Sequence, residues 1–373
     1  MTKDHDFKRL VRDRMARSGE SYATARAHLR PARADLDRLD EHLQLALEGG
    51  RLNEQDAAAL EARVGRDPDD GEARARLLGF YLGRAGAEDA ARQAEHALWV
   101  ISAAPRSRLA GSPFCQSFYP SQAEQQERAA ALWLDHIDRS PDDSRLLEQA
   151  AQWFALSDRE LSDALWQRVI DLEEANLNAR IMRAAIYRVR GADWLDGSPH
   201  ARATAMRVLE ILGDQPTTAD GAWLWLRPAA WAALAAGDHD KARRLARELL
   251  DLAEQREPDW NTGNAIHHGH LILGHLELLR DDIDGAEREL AAAGATPGSP
   301  QLNSFGPNFS LAKGLLDRDR RDAVLAFIDA CRQFWAPPER ENRGAVSHCE
   351  KLDHWEDELR SGKTPNFQTQ LYE

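Results

Sequence analysis

At 373 residues, with 48 Lys and Arg against 62 Asp and Glu and a formal net charge of −14, the chain as a whole is a poor partner for nucleic acid or an anionic membrane surface. No apolar run approaches the roughly 20 residues of a membrane span, and Met1 leads into Thr2-Lys3-Asp4-His5-Asp6 instead of an apolar signal core, so a cytoplasmic address is expected. Cys115, Cys331 and Cys349 are far apart without a C-x-x-C, which speaks against a zinc knuckle or a disulfide framework; only Cys331 and Cys349 could meet. Ala, Leu, Arg, Glu and Asp dominate, and no long apolar/polar alternation occurs, so the expected fold class is all-α.

The first predicted elements are two short helices, Phe7 to Met15 stopped by Gly19, and Tyr22 to Leu29 ended by Pro31. Lys3, Lys8, Arg9, Arg12, Arg14, Arg17, Arg26, Arg30 and Arg33 make this arm basic in an acidic chain. It reads as a capping hairpin with a solvated basic face, or else as an arm for nucleic acid or an acidic partner. Asp35 to Val64 follows as charged helix, with Gly49-Gly50 as its turn and Asn53 as a cap. Glu72 to Ile101, with Leu78-Gly79, Leu82 and Ala91, is the first clear helical repeat. Pro105 to Pro120 interrupts the pattern and is expected to fold over the surface of the helices, the other reading being a packed functional loop.

Helical spacing resumes over Ala123 to Ile137, Ser144 to Leu156, Asp158 to Glu174 and Asn178 to Val189. Pro68-Asp69-Asp70 and Pro141-Asp142-Asp143 punctuate these hairpins, and Trp133, Trp153 and Trp166 lie on apolar faces where core packing is expected. The loop Gly191 to Pro199 breaks the series. Trp223, Trp225 and Trp231 then begin a new first-helix face, inside which Pro228 predicts a kink or a late start.

From Gly263, Ile266, Leu271, Leu273, Leu276 and Leu279 keep near-helical spacing; Asp281-Asp282 breaks it, and Ile283, Ala286 and Leu290 begin a second amphipathic run. Gly237-Asp238-His239-Asp240-Lys241-Ala242 echoes Asp281 to Ala286, and Ala323 with Phe327 repeats the small-then-aromatic step. Gly274 and Ala286 lack bulk, which lets paired helices approach closely. Beyond Trp335, Pro337-Pro338 closes the last strong repeat; a short helix over Leu352 to Leu359 and an extended end from Gly362 complete the chain.

Leu273-Gly274, then Ala286 and Leu290, with Pro297 as terminator, resemble the tetratricopeptide repeat of about 34 residues, although His270 and Glu277 stand where that family prefers Trp and Tyr. The tail, with Ser299 to Lys313, resembles a C-terminal module of assorted bacterial repeat proteins, a resemblance that supplies no chemistry. The resemblance implies an α-α hairpin superhelix, a TPR-like solenoid over 34–335, flanked by the basic arm 1–33 and a C-terminal helix and tail over 336–373. It also implies a concave face lined by first-helix residues. The repeat phase places His268, Leu271, His275 and Leu278 there, joined by Leu224, Arg227 and Trp231 and by Phe305 and Asn308. Of these, Arg227, Trp231, His268, His275, Phe305 and Asn308 are the expected binding residues for a peptide or protein partner or a small anionic ligand, unless they merely pack against the Asn303 to Asn308 loop.

Catalytic and metal signatures are weaker. His267, His268, His270 and His275 do not form the i, i+4 pair of H-E-x-x-H, so no metal or cofactor is expected, and hydrogen-bonded or solvated histidines are. Phosphate-binding, dinucleotide and nucleophile-elbow motifs are missing from the sequence. Glu173-Glu174 and Asp281-Asp282 read as solvated helix ends. The leading expectation is therefore a scaffold or adaptor. Its rivals are an enzyme or metal-dependent protein using the His-rich repeat, and a ligand-sensing regulator using the basic arm.

Overall fold

The computed structural model describes residues 33–84, 86–116, 122–187, 195–335 and 343–367, so the basic arm up to residue 32, the aromatics Phe118 and Tyr119, Trp194, Pro337-Pro338 and the last six residues lie outside the described residues. The described residues are all-α, with eighteen helices and no strand. They fall into two compact units that divide between Ala175 and Asn176.

The first unit contains α1 (Arg33–Gly49), α2 (Glu54–Arg66), α3 (Gly71–Tyr81), α4 (Ala87–Ala103), α5 (Pro113–Gln116), α6 (Ala123–Arg139), α7 (Ser144–Phe154) and α8 (Arg159–Leu172). Their starts are written locally. Asn53, Asp70, Asp143 and Asp158 each accept a hydrogen bond from the backbone N–H three residues on, a cap that stabilises a helix by about 1 kcal/mol. Gly79 is needed for a close crossing, since a Cβ there would lie 1.8 Å from the Ala46 carbonyl oxygen on α1. Trp133, Trp153 and Trp166 are buried in core, as expected from their phase.

Two expectations change in this unit. Ala90 and Ala94 are buried while Ala91 is exposed, so the second helix of the first repeat is rotated by one residue from the predicted phase. Residues 105–116 do not lie over a surface. Ser107, Leu109, Ala110 and Cys115 are fully buried, and Trp153 Nε1 donates to the Cys115 carbonyl at 2.9 Å. Apolar side chains at 109, 110 and 115 drive this segment inward despite its lack of helical periodicity.

The second unit contains α9 (Leu177–Ile186), α10 (Pro199–Leu212), α11 (Ala219–Ala236), α12 (His239–Gln255), α13 (Thr262–Leu278), α14 (Ile283–Gly294), α15 (Pro300–Phe305), α16 (Ser310–Leu316), α17 (Arg321–Trp335) and α18 (Arg343–Arg360). α11/α12, α13/α14 and α16/α17 are successive hairpins, and the first helices α11, α13 and α16 pack beside one another. The three turns have one construction. A left-handed residue, Gly237 (φ 84°), Asp281 (φ 61°) or Asp319 (φ 61°), precedes a backbone N–H that reaches back five residues: Asp238 to Ala233 at 2.9 Å, Asp282 to Glu277 at 3.0 Å and Arg320 to Leu315 at 3.1 Å. Asp238 and Asp282 then cap the second helices.

Between hairpins, the half-buried pair Arg243–Glu277 (2.6 Å) ties α12 to α13. A Cβ at Gly274 would meet Leu311 on α16 at 2.2 Å and Glu289 on α14 at 3.1 Å; the close approach is real, with these neighbours and not Ala286 at its centre. Pro228 neither delays α11 nor ends it, because the helix begins at Ala219 and runs through to Ala236. The last helix is longer than its sequence signal: α18 starts at Arg343, although its apolar stripe is anchored by Leu352, Trp355 and Leu359. The segment after Gly362 folds back, and Phe367 packs against Phe309 and Trp355 with ring centroids 4.8 and 5.0 Å away. No helix among the described residues is long and apolar enough to cross a membrane.

Candidate functional site

Unlike the amphipathic α12, the first helices α11 and α13 are buried nearly all round, and the residues singled out from the sequence lie on or beside them. Trp231 on α11 is 9% exposed, and its indole N–H donates to His268 Nδ1 on α13 at 3.2 Å. Since that nitrogen accepts, the proton of a neutral His268 sits on Nε2. The Trp231 ring also meets His275 edge-on, with centroids 5.9 Å apart. One α11 residue therefore touches two α13 histidines a heptad apart.

His275 is densely surrounded although part of it reaches solvent, and its Nε2 lies 2.8 Å from Ser310 Oγ on α16. Burial pushes its pKa down to about 4. Arg227, one turn before Trp231, is half-buried. Phe305, at the end of α15, is 64% exposed. His268 and Asn308 differ from this open group, being 0% and 3% exposed. Both are enclosed among packed helices: His268 accepts from the Trp231 indole, and Asn308 donates its N–H to His267 Nε2.

The loop is attached by a residue not singled out as a binding residue. His267, fully buried, has both ring nitrogens engaged: Asn308 N–H donates to Nε2 at 3.0 Å, so Nδ1 carries the proton and donates to the Ala293 carbonyl at 3.0 Å. Burial pushes its pKa down to about 4. An imidazole so placed has no lone pair left for a metal. His270 pairs with Glu289 at 2.7 Å, so the His-rich stretch is spent largely on packing contacts with α11, α14, α16 and the loop.

A second set of polar residues, also missed, runs through the beginning of α13. Asn261 Nδ2 donates to the Trp223 carbonyl (3.4 Å), Asn264 Nδ2 donates to Asn261 Oδ1 (3.3 Å) and Gln301 Oε1 (3.1 Å), and Ser299 Oγ donates to Asn264 Oδ1 (2.8 Å). This amide ladder connects α11 to α15. The i, i+3 spacing of Asn261 and Asn264 was a local signal; the contacts with Ser299 and Gln301 had none. Comparison with protein families and with curated proteins finds no family model and no curated protein that matches the chain.

Proposed function

We propose that the second unit is a tetratricopeptide-like stack of hairpins, part of a helical solenoid, that captures a peptide or protein partner on the face built by α11, α13 and α16. The observation that supports this most is the common construction of three successive turns, which sets the three first helices side by side and leaves Arg227, His275 and Ser310 partly open on them. Phe305 adds an exposed aromatic ring at the edge. Trp231, His268 and Asn308 hold that face in register from below. Such a face combines one cation, neutral hydrogen-bonding groups and an aromatic contact, the ingredients of extended-peptide capture.

An enzyme is the second reading, and its one support is the 2.8 Å contact between His275 Nε2 and Ser310 Oγ. An imidazole with a pKa near 4 is a feeble proton acceptor at neutral pH, so the contact reads better as a polar tie between α13 and α16.

Selection from a displayed random-peptide library against the whole protein tests the binding reading. Enriched peptides should bind Arg227→Ala and His275→Ala about tenfold or more weakly at a temperature where both variants remain folded, with the melting temperature of Arg227→Ala little changed. No enrichment, or equal affinity for both variants, would contradict it.

A further inference from the structure

The chain leaves its last helix through the same kind of turn that joins the hairpins. Gly362 is left-handed (φ 83°), and the next N–H, that of Lys363, reaches back five residues to the Glu358 carbonyl at 2.8 Å. In the three hairpins a second helix follows such a turn. Here residues 363–367 follow it outside any helix. Burial alternates along them: Pro365 and Phe367 are buried while Thr364 and Asn366 are exposed, the pattern of an extended segment laid on a surface. Pro365 suits that form, since its ring fixes φ and biases the residue before it toward extended backbone. Arg321, at the start of α17, donates from Nη1 to the Lys363 carbonyl at 2.8 Å, a contact that any extended main chain can supply.

The Phe367 ring enters a slot whose walls have other supports. Its centroid lies 4.8 Å from Phe309 and 5.0 Å from Trp355, and those two rings meet each other at 4.9 Å. Phe309 is backed by Phe327 at 5.0 Å and Trp355 by Trp335 at 6.3 Å, all four being buried. The walls are thus held by rings that do not include Phe367, as in a preformed pocket. Phe367 stands edge-on to Trp355 at 88°, a contact specific to a flat ring. Withdrawing residues 363–367 unwinds no helix.

Going beyond the α11–α13–α16 face and independent of it, we propose that this slot is a second recognition site, for an extended Pro-x-Phe segment of a partner protein, and that residues 363–367 occupy it in cis and compete with that partner. The tail itself shows the chemistry that fits: a phenylalanine in the slot, a proline two residues before it, and a carbonyl two residues before the proline turned to Arg321. A competitor on so short a tether acts at an effective concentration of roughly millimolar order, so a partner gains the slot only as the tail leaves.

The test uses the whole protein and the fluorescently labelled peptide Lys-Thr-Pro-Asn-Phe, with binding read by anisotropy. Phe367→Ser removes the ring from the slot, and this variant should bind the peptide about tenfold or more tightly than the wild-type chain does. The peptide with Ser in place of Phe should not bind it. A second variant carries about twenty Gly and Ser residues inserted after Gly362, which keeps slot and plug intact but lowers the effective concentration of the plug; its affinity for the peptide should rise several-fold. Affinity equal to wild type in both variants, or equal binding of the Ser peptide, would overturn the proposal. Dimerisation of the lengthened variant in sedimentation would also overturn it, by making a second copy's tail the occupant. Should Phe367→Ser fail to fold, the lengthened variant decides alone, and no gain in affinity there overturns the proposal.

Discussion

His267 shows how a single side chain ties the second unit to pH. Its folded pKa, pushed down by burial to about 4, lies below its ordinary value of 6.5. Between those values the unfolded chain holds a proton that the folded chain refuses. The stabilisation is therefore complete above about pH 6.5 and lost as pH falls toward 4, by on the order of 3 kcal/mol. Urea unfolding at several pH values between 7.5 and 4.5 should show this loss together with a like one from His275, whose pKa burial also pushes down to about 4, so His267→Gln should reduce the slope by about half while lowering stability at pH 7.5. An unchanged slope in the variant would assign the pH dependence elsewhere. Glu61 in the first unit acts in a lower window: the hydrogen bond from His96, and then that from Tyr81, hold it at about 2 against the opposing effect of burial, so its contribution fades only below its ordinary 4.5. The sequence pointed to hydrogen-bonded histidines in this stretch. It could not identify the partners of His267, because the Ala293 carbonyl is 26 residues away and the Asn308 N–H is 41.

Among elements, the hairpin turns were legible because their chemistry is local. Gly237-Asp238 and Asp281-Asp282 stand at matching places, and in each the second residue caps the next helix. The equivalence of the turns has a consequence for stability. Asp281 and Asp319 occupy a left-handed conformation that costs a side-chain-bearing residue free energy, and glycine fills the matching place at 237. Asp281→Gly should therefore raise stability by roughly 0.5 to 1 kcal/mol, and Gly237→Ala should lower it by about 1 kcal/mol, as read from thermal melts. Destabilisation by Asp281→Gly would mean that the turns are not interchangeable. Helix phase was less legible. Ala91 is exposed and Ala323 only partly buried, because which small residue faces the neighbouring helix depends on how two helices cross and not on either sequence alone. The burial of 105–116 was hidden for the same reason: Cys115 and Gln116 bond to Trp153 and Gln152, and Gly111 lies against Gln149, all on a helix distant in sequence.

For the whole molecule, the two units differ in what they offer. The first joins its helices with ionic and aromatic ties, such as Glu61, Tyr81, His96 and the buried Arg74, whose guanidinium reaches His96 Nδ1 at 3.2 Å. The second sets three first helices beside one another, holds His267 and His275 well below the ordinary imidazole pKa by burial, and leaves large apolar side chains such as Trp260 and Phe305 in solvent. All-α architecture and hairpin series were readable from composition and spacing. The candidate face was readable only in part: Trp231 touches both His268 and His275, whereas His268 and Asn308 are enclosed, and Ser310 enters through a contact 35 residues from His275. Hydrogen–deuterium exchange on the whole protein, with and without a selected peptide, tests the central claim most directly. Bound peptide should slow exchange in α11, α13 and the α15–α16 segment and leave residues 33–175 unchanged; protection confined to residues 33–175, or to α12 and α14, would contradict it.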